Sequence, residues 1–228
     1  MRVLTWNCNG ALRKKIENLA AFEADVFIIQ ECENPETTSD NNYKSWSKNH
    51  LWVGDNKNKG LGIFVNDKTS IKKYRWASAG LKYFIPCRIN GSFNLLGVWC
   101  CNAPTYGYIG QFWNYLQLHR KKLDTCVLAG DFNSNVFWDK PKRSWNHSDV
   151  VRELKGLNIE SAYHLHHHED QGKERTPTFF LYKNLAKPYH IDYIFASDNI
   201  NKARKEISIG SPAQWIGMSD HMPVMLEF

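Results

Sequence analysis

Carboxylate and amide side chains recur in this sequence directly after, or within, short apolar runs. Glu31 follows the run 26–30, and Asp131 follows the run 127–130. The other polar positions of this kind are Asn7, Asn102, Asn133, Asp192, Asp220 and His221. One polar residue after a strand is ordinary for a loop. Several strand ends that each supply one predict a shared site, because loops at one end of a rigid scaffold lie together.

Carboxylates, amides and one histidine are the side chains that divalent-metal phosphoester chemistry needs. Oxygen ligands suit Mg²⁺ or Mn²⁺, and a bound divalent ion together with an acid or base activates water. A histidine and an amide offset the charge that develops on phosphorus. The chemistry predicted for this set is therefore metal-dependent hydrolysis of a phosphoester.

The elements that must position these residues are strands interspersed with helices. Apolar residues at helical spacing predict helices over 11–22, 110–123 and 148–157, the last capped by Ser148 or Asp149. Apolar runs between Asn, Lys and Gly turns predict strands at 3–6, 26–29, 52–53, 62–65, 84–89, 93–101, 126–129, 191–196 and 224–228. Because helices and strands do not strictly alternate, the order favours an α/β fold with two packed sheets flanked by helices over a doubly wound parallel sheet.

Composition limits the class of protein. With 228 residues, 43% of them hydrophobic and 23% charged, the chain is predicted to be a single globular domain over 1–228 rather than a disordered chain or coiled coil. It has no run of about 18 apolar residues, so no membrane anchor is expected. The net charge of +6 permits an anionic partner without requiring one. No obligate protein partner is evident.

The six cysteines indicate a reducing compartment. None has C-x-x-C spacing, several lie in apolar runs, and residues 1–10 lack the apolar core of a signal peptide. We therefore expect free buried thiols and a cytoplasmic protein.

Five motifs give the sequence a specific resemblance. They are Trp6-Asn7-Cys8-Asn9-Gly10, Gln30-Glu31, Gly130-Asp131-Phe132-Asn133, His190-Ile191-Asp192-Tyr193 and Ser219-Asp220-His221-Met222-Pro223-Val224. In order and approximate spacing the chain resembles the endonuclease/exonuclease/phosphatase superfamily, in its exonuclease III and deoxyribonuclease I-like branch. The resemblance spans residues 6–224 and implies a four-layered α/β sandwich of two mostly antiparallel sheets flanked by helices. It also implies metal-dependent cleavage of a phosphoester.

The resemblance implies roles for individual residues. Glu31 is similar to the family's principal ligand for Mg²⁺ or Mn²⁺, Asn7 to the amide that supports metal and phosphate, and Asp220 to a further ligand or an orienting group. Asp131 resembles the residue that activates or orients water, and Asn133 the one that binds the phosphate oxygen beside it. The last two roles fall to His221, which would contact the scissile phosphate, and Asp192, which would orient His221.

Three further positions are candidates for substrate or phosphate binding. Asn102 stands where many family nucleases have Tyr, and Cys101 stands where others have His, so the chain departs from the pattern there. Thr178 lies in a segment that resembles a family loop bordering the site. His190 stands where Arg is common. Thr178 and His190 are therefore predicted near the substrate, with a simple solvated side chain as the alternative for His190.

Tryptophans and histidines supply the remaining candidates. Trp138 and Trp145 flank the basic loop 140–143, and cations between aromatic rings suit a nucleic-acid strand, although both rings can instead pack onto the domain. His147 is read as part of a helix start. The stretch 164–168 is read as a polar loop rather than a Zn²⁺ site.

The combined reading is a nuclease that acts on DNA and uses Mg²⁺ or Mn²⁺. The alternative is a phosphatase or phosphodiesterase for a small-molecule or lipid phosphoester. A non-catalytic binding module is disfavoured, because all the acidic and histidine positions of the motifs are intact.

Overall fold

A computed structural model describes residues 1–228. Its strands are β1 (Arg2–Asn7), β2 (Val26–Cys32), β3 (His50–Asn56), β4 (Lys59–Val65), β5 (Ile71–Lys73), β6 (Phe84–Ile89), β7 (Phe93–Trp99), β8 (Cys126–Asp131), β9 (Ile159–Ser161), β10 (Phe179–Phe180), β11 (Pro188–Tyr189), β12 (Asp192–Ser197), β13 (Glu206–Ile209) and β14 (Val224–Glu227). Its α-helices are α1 (Ile16–Leu19), α2 (Asn41–Trp46), α3 (Ile109–His119), α4 (His147–Gly156), α5 (Ala162–His167), α6 (Asp198–Ala203) and α7 (Pro212–Trp215).

Two six-stranded sheets form the centre of the molecule. The first has the order β13-β14-β1-β2-β4-β3, and the second has the order β5-β6-β7-β8-β12-β9. Each sheet contains one parallel pair, β1–β2 or β7–β8, and its other pairs are antiparallel. The predicted sandwich of two mostly antiparallel sheets is confirmed.

The sheets pack face to face over an apolar core, and helices cover their outer faces. Ile28, Ile63, Leu95 and Val127 are among the buried side chains between the sheets. Helices α3 and α4 bury Phe112 and other apolar residues on the outside of the second sheet. Helices α1, α2 and α7 do the same for the first sheet. The result is four layers, because strands in the middle of each sheet are apolar on both faces.

The helix predicted over 11–22 is wrong as one element. It consists of a 3-10 turn at Leu12–Lys14, the short α1, and a second 3-10 turn at Ala20–Phe22. The break falls at Lys15, whose backbone is not helical (φ −127°). The Lys15 ammonium donates hydrogen bonds to the carbonyls of Cys8 and Gly10 and to a third carbonyl at Met218. These bonds hold the segment against the β1 end of the first sheet.

Helix α4 begins one residue before its predicted start, and its cap differs from the prediction. Asn146, rather than Ser148 or Asp149, occupies the cap position. Asp149 instead reaches back, so that its Oδ2 accepts the Asn146 N–H at 2.8 Å. His147 is therefore the first helical residue, as its predicted place near the helix start required.

The loop predicted for 164–168 is also wrong, because most of it belongs to α5. Two contacts hold the His164 ring: its Nδ1 lies 2.7 Å from Ser161 Oγ, and its Nε2 lies 3.1 Å from Glu174 Oε1. Ala162 and Tyr163 are buried on the same helix. No helix of the molecule has both the length and the apolar composition that crossing a membrane requires.

Candidate active site

The ends of both sheets that carry the predicted site residues meet at one edge, and one amide connects them. β1 and β2 run parallel with Asn7 opposite Gln30, while β8 and β12 are antiparallel with Asp131 opposite Asp192. The Asn7 Nδ2 donates to Asp131 Oδ2 at 3.0 Å and to Glu31 Oε1 at 3.4 Å. The first sheet therefore supplies Asn7 and Glu31, and the second supplies the aspartates.

Unusual backbone conformations turn two of these residues toward the site. Glu31 lies at an irregularity in the β2–β4 pairing and has a φ of +61°. Asn133 has a φ of +46°, a conformation that Asn adopts more readily than most residues. Position 130 requires glycine, because a Cβ there would lie 1.8 Å from the Val98 carbonyl oxygen. Strain and bulges of this kind commonly occur beside functional sites.

Asp131 is buried and held from two sides. Its Oδ1 accepts the Asn133 N–H at 2.8 Å, and its Oδ2 accepts the Asn133 Nδ2 at 2.8 Å. The same Nδ2 donates to the Cys100 carbonyl at 3.0 Å. Burial raises the pKa of Asp131 above its usual range, while the charge on His221 opposes the rise. A carboxylate with a raised pKa can accept a proton near neutral pH.

His221 and Asp192 form a buried pair. The His221 Nδ1 lies 3.1 Å and 3.0 Å from the two Asp192 carboxylate oxygens. Burial alone lowers the pKa of His221, but the negative charges on Asp192 and Asp131 outweigh that effect and raise it. His221 is therefore an imidazolium whose Nε2 has no hydrogen-bond partner within the chain.

Neighbouring groups fix the position of the His221 ring. The indole Nε1 of Trp6 donates to the His221 carbonyl at 2.9 Å, and the Ser219 hydroxyl accepts the His221 N–H at 3.0 Å. The ring of Phe179 packs against the imidazole with 4.5 Å between ring centroids. Trp6 and Ser219 belong to two of the predicted motifs, whereas nothing in the sequence singled out Phe179.

The donor set at this edge fits Mg²⁺ or Mn²⁺. Glu31 supplies a partly exposed carboxylate, and its Oε2 already attracts the Lys59 ammonium at 2.9 Å. One ligand atom from each of Asp131, Asp192 and His221 lies within 4.8 Å of the others. Glu31 is linked to this group through Asn7, and the oxygen donors of the three carboxylates suit Mg²⁺ or Mn²⁺. Sequence reasoning missed Lys59, which no motif contains.

Asp220 and Asn102 lie apart from the hydrogen-bonded cluster. The Asp220 backbone carbonyl accepts the Phe180 N–H at 2.8 Å, but its side chain makes no hydrogen bond. Its charge nevertheless contributes to the raised pKa of the adjacent His221. Asn102 is exposed on the loop after β7 and makes no side-chain hydrogen bond. The structure thus brings neither side chain into the cluster.

Thr178 and His190 are buried and lie outside the hydrogen-bonded cluster. The Thr178 hydroxyl accepts the N–H groups of Ile191 and Asp192, both at 3.0 Å, and so positions the Asp192 backbone. His190 packs its ring against Tyr163 and Tyr193, with centroid distances of 4.6 Å and 5.0 Å. Thr178 acts in this structure as a support for Asp192.

The two predicted tryptophans differ in their surroundings. Trp145 is half-buried against α3, where Gly110 leaves room for its ring, and it meets Tyr106 edge-to-face at 6.5 Å. Trp138 is 40% exposed and lines a cavity of about 440 Å³ that also includes Asn133. The other lining residues include Tyr108, Ile109, Arg143, Phe179 and Ile191. This cavity, termed the site cavity below, thus adjoins the candidate site at Asn133 and Phe179, and Trp138 is the tryptophan that faces it.

Comparison with known proteins agrees with this arrangement. Residues 4–221 match the sequence model of the Endonuclease/Exonuclease/phosphatase family, and the chain therefore belongs to that family. No curated protein matches the chain.

Solved structures share the fold at low sequence identity. The 3′ phosphatase NExo from Neisseria, solved with a product DNA hairpin, is 19% identical with a TM-score of 0.74, over 100% of this chain and 99% of that chain. An AP endonuclease from Archaeoglobus fulgidus is 18% identical with a TM-score of 0.74 and the same coverage. The APE2 catalytic domain from Xenopus laevis is 13% identical with a TM-score of 0.69, over 100% and 91%.

Proposed function

We propose that this protein is a Mg²⁺- or Mn²⁺-dependent phosphodiesterase that cleaves DNA. The observation that carries the proposal is the buried Asp192–His221 pair beside Asp131, joined to Glu31 through Asn7. From this arrangement we infer a proton acceptor in Asp131, a fixed cation in His221 and a metal-binding carboxylate in Glu31. Together they meet the requirements of phosphoester hydrolysis.

Each residue has a distinct task in the proposed reaction. Glu31 and Asn7 would hold the divalent ion, which when bound offsets the negative charge of the phosphate. Asp131 takes the proton of the attacking water, and Asn133 holds Asp131 in place for this step. The His221 Nε2–H donates to a phosphate oxygen, and Asp192 keeps the ring charged and oriented.

Two features favour DNA as the substrate. The exposed Trp138 in the site cavity can stack on a base, and Arg143 in the same wall can pair with a phosphate. Structures with the same fold include a phosphatase solved with a DNA hairpin and an AP endonuclease. We also propose a cytoplasmic location, which the six free cysteines, five of them buried, support.

An activity screen tests this proposal. Single-stranded, duplex, abasic and 3′-phosphorylated DNA, RNA and a phosphoinositide would be incubated with Mg²⁺, with Mn²⁺ and with EDTA, and a His221→Ala variant would serve as the control for contaminating nucleases. We expect DNA cleavage that requires metal and binding that weakens steeply with salt. Activity in EDTA would contradict the metal assignment. Hydrolysis of the phosphoinositide alone would favour the lipid alternative.

A further inference from the structure

A second cavity, of about 400 Å³, lies next to the site and has no role in the proposed reaction. Phe137, Glu174, Tyr189 and His190 are among its lining residues. One aromatic pair separates it from the site cavity. Trp138 lines the site cavity, Tyr189 lines the second cavity, and their ring centroids are 5.1 Å apart. The loop after β8 and the segment before β12 therefore line both cavities.

Glu174 offers one unpaired carboxylate oxygen at this cavity. Its side chain is only 5% exposed, and its Oε1 accepts from His164 Nε2 at 3.1 Å, Gly172 N–H at 2.8 Å and Asn135 Nδ2 at 3.1 Å. Its Oε2 makes no hydrogen bond. Burial alone raises the pKa of Glu174, but the hydrogen bonds from His164 and Gly172 lower it to about 2. The carboxylate is therefore ionised, with one oxygen left for a ligand.

His190 offers a second unpaired acceptor. The residue is 4% exposed, and its Nδ1 lies 2.8 Å from the Thr176 carbonyl, so Nδ1 must carry the proton. Burial lowers the pKa of His190 to about 4, and the ring is neutral at pH 7. Its Nε2 is consequently a lone pair, and it is buried without any partner in the protein. Native structures rarely leave a buried polar atom in this state unless a ligand or water completes it.

The walls of the cavity suit a flat, uncharged ring. Phe137 is 77% exposed, which is unusual for a large apolar side chain, and Tyr189 faces the same space. Lys187 also lines the cavity and can pair with a phosphate. Two acceptors between aromatic rings select a planar group that presents N–H donors, and a nucleobase has both properties.

We propose that this cavity binds a guanine base of the substrate strand, with Glu174 Oε2 and His190 Nε2 accepting from its N–H groups. Guanine is the base whose pairing edge carries two adjacent donors, N1–H and N2–H. Thymine carries one N–H between two carbonyls, which a carboxylate repels. The inference rests on the proposed nuclease function and extends it, because it makes the cavity a determinant of base preference near the cleavage site.

Glu174→Gln tests the proposal, since it keeps the shape of the side chain and turns a charged acceptor into an amide. Binding of dGMP and dTMP would be followed by calorimetry, and cleavage positions in a random single-stranded DNA pool would be read by sequencing. We expect the wild type to prefer guanine in both measurements and Glu174→Gln to reduce the preference about tenfold. Phe137→Ala should weaken binding of both nucleotides without changing their ratio, because stacking does not distinguish bases.

Asp170→Asn is the matched control, because it removes one negative charge from an exposed side chain of the same segment that is not part of the cavity lining. It should leave the guanine preference intact. Equal binding of dGMP and dTMP by the wild type, or an unchanged ratio in Glu174→Gln, would overturn the proposal. If the protein cleaves no nucleic acid, the proposed function fails, and the nucleotide binding ratio still decides the role of the cavity.

Discussion

Two buried clusters of titratable side chains lie at opposite sides of the start of β12. The first, called the catalytic cluster after its role in the proposed function, consists of Asp131, Asp192 and His221. The histidine cluster consists of His147, His164 and His190 around Tyr193, with ring-centroid distances to the tyrosine of 5.0 Å, 6.2 Å and 5.0 Å. Both clusters are hidden from solvent at their centres, yet the pKa of His221 is raised whereas the pKa values of His147 and His190 are lowered.

The difference lies in what faces each imidazole. His221 faces two carboxylates, and its pKa is raised. His147 faces the Gln171 amide and His190 faces a backbone carbonyl, so burial dominates and lowers the pKa of each to about 4. Burial by itself makes a histidine neutral, and a carboxylate at hydrogen-bond distance reverses the result. His190 and Asp192, the partner of His221, are two residues apart. One short segment therefore contributes both to a histidine with a lowered pKa and to one with a raised pKa.

Asp192→Asn should have the largest effect, because it removes the charge that keeps His221 ionised. We expect kcat to fall by about 10³-fold or more, and the pKa of His221 to drop. Rates on a DNA substrate and an NMR titration of the imidazole would measure both. The double variant with His221→Gln should lose little more than either single variant, because the two residues act as a unit.

Asp198→Asn is the control for this prediction. Asp198 lies just beyond the other end of β12, where its exposed carboxylate pairs with Lys202. It should leave the rate unchanged. If His221 stays ionised in Asp192→Asn, then Asp192 does not set its charge. A neighbouring carboxylate would then not explain why the pKa of His221 differs from those of His147 and His190.

The histidine cluster should make folding depend on pH. Above pH 6.5, the usual pKa of the unfolded histidine, neither state binds a proton at His147 or His190. Between pH 6.5 and about 4 the unfolded chain binds protons that the folded chain excludes, so stability falls as the pH falls. Once the pH is below about 4, each histidine should have lowered the free energy of unfolding by about 3 kcal/mol in total.

Urea unfolding of the wild type and of His147→Gln across this pH range would test the prediction. The glutamine cannot titrate, so the slope of unfolding free energy against pH should be smaller by about 1.4 kcal/mol per pH unit. His50→Gln is a suitable control, because that ring is only partly buried. Equal slopes for wild type and His147→Gln would mean that His147 accepts a proton within the fold.

The sequence predicted those parts of the molecule that leave a signal in neighbouring residues. The sandwich followed from apolar runs, and the polar residues after those runs marked Asn7, Glu31 and Asp131, because both signals are local. Short edge strands such as β5 and β13 were missed, since three or four residues carry little periodicity. Helix α5 was missed because its histidines read as solvated, whereas the His164 side chain is largely enclosed and contacts Glu174 from a later segment.

Distant contacts account for the remaining failures at the site. Lys59 of the β3–β4 hairpin meets Glu31 on the neighbouring strand β2, and Phe179 meets His221 from a strand 42 residues earlier, so neither pair has a signal in local sequence. Thr178 and His190 were placed near the substrate because they border the site in sequence. The fold buries both outside the catalytic cluster, where Thr178 supports the Asp192 backbone and His190 belongs to the histidine cluster.

Trp138 packs on Tyr189 between the clusters. Its replacement should affect substrate binding without changing the ionisation of the histidines in either cluster. Trp138→Ala is expected to weaken DNA binding by about 1–3 kcal/mol, the value of one stacked base, with kcat and the pH dependence of stability retained. Fluorescence anisotropy with labelled single-stranded DNA would measure it. Trp145→Ala is the matched comparison: it should lower the unfolding free energy by about 2 kcal/mol through lost packing on α3, with DNA affinity unchanged.

Lys59 provides the smallest and most selective change, because it acts on the Glu31 carboxylate beside the catalytic cluster. Its ammonium lies 2.9 Å from Glu31 Oε2 and over the Trp99 ring, and the side chain is half-exposed, so the interaction is weak. Because the ammonium and a divalent ion compete for the same carboxylate, Lys59→Met should tighten Mn²⁺ binding about threefold to fivefold by calorimetry. Lys57→Met, which removes an unpaired cation from the same hairpin, should change it less. Weaker Mn²⁺ binding in Lys59→Met would mean that Lys59 positions Glu31 for the metal, and that the catalytic cluster depends on this cation as His221 depends on Asp192.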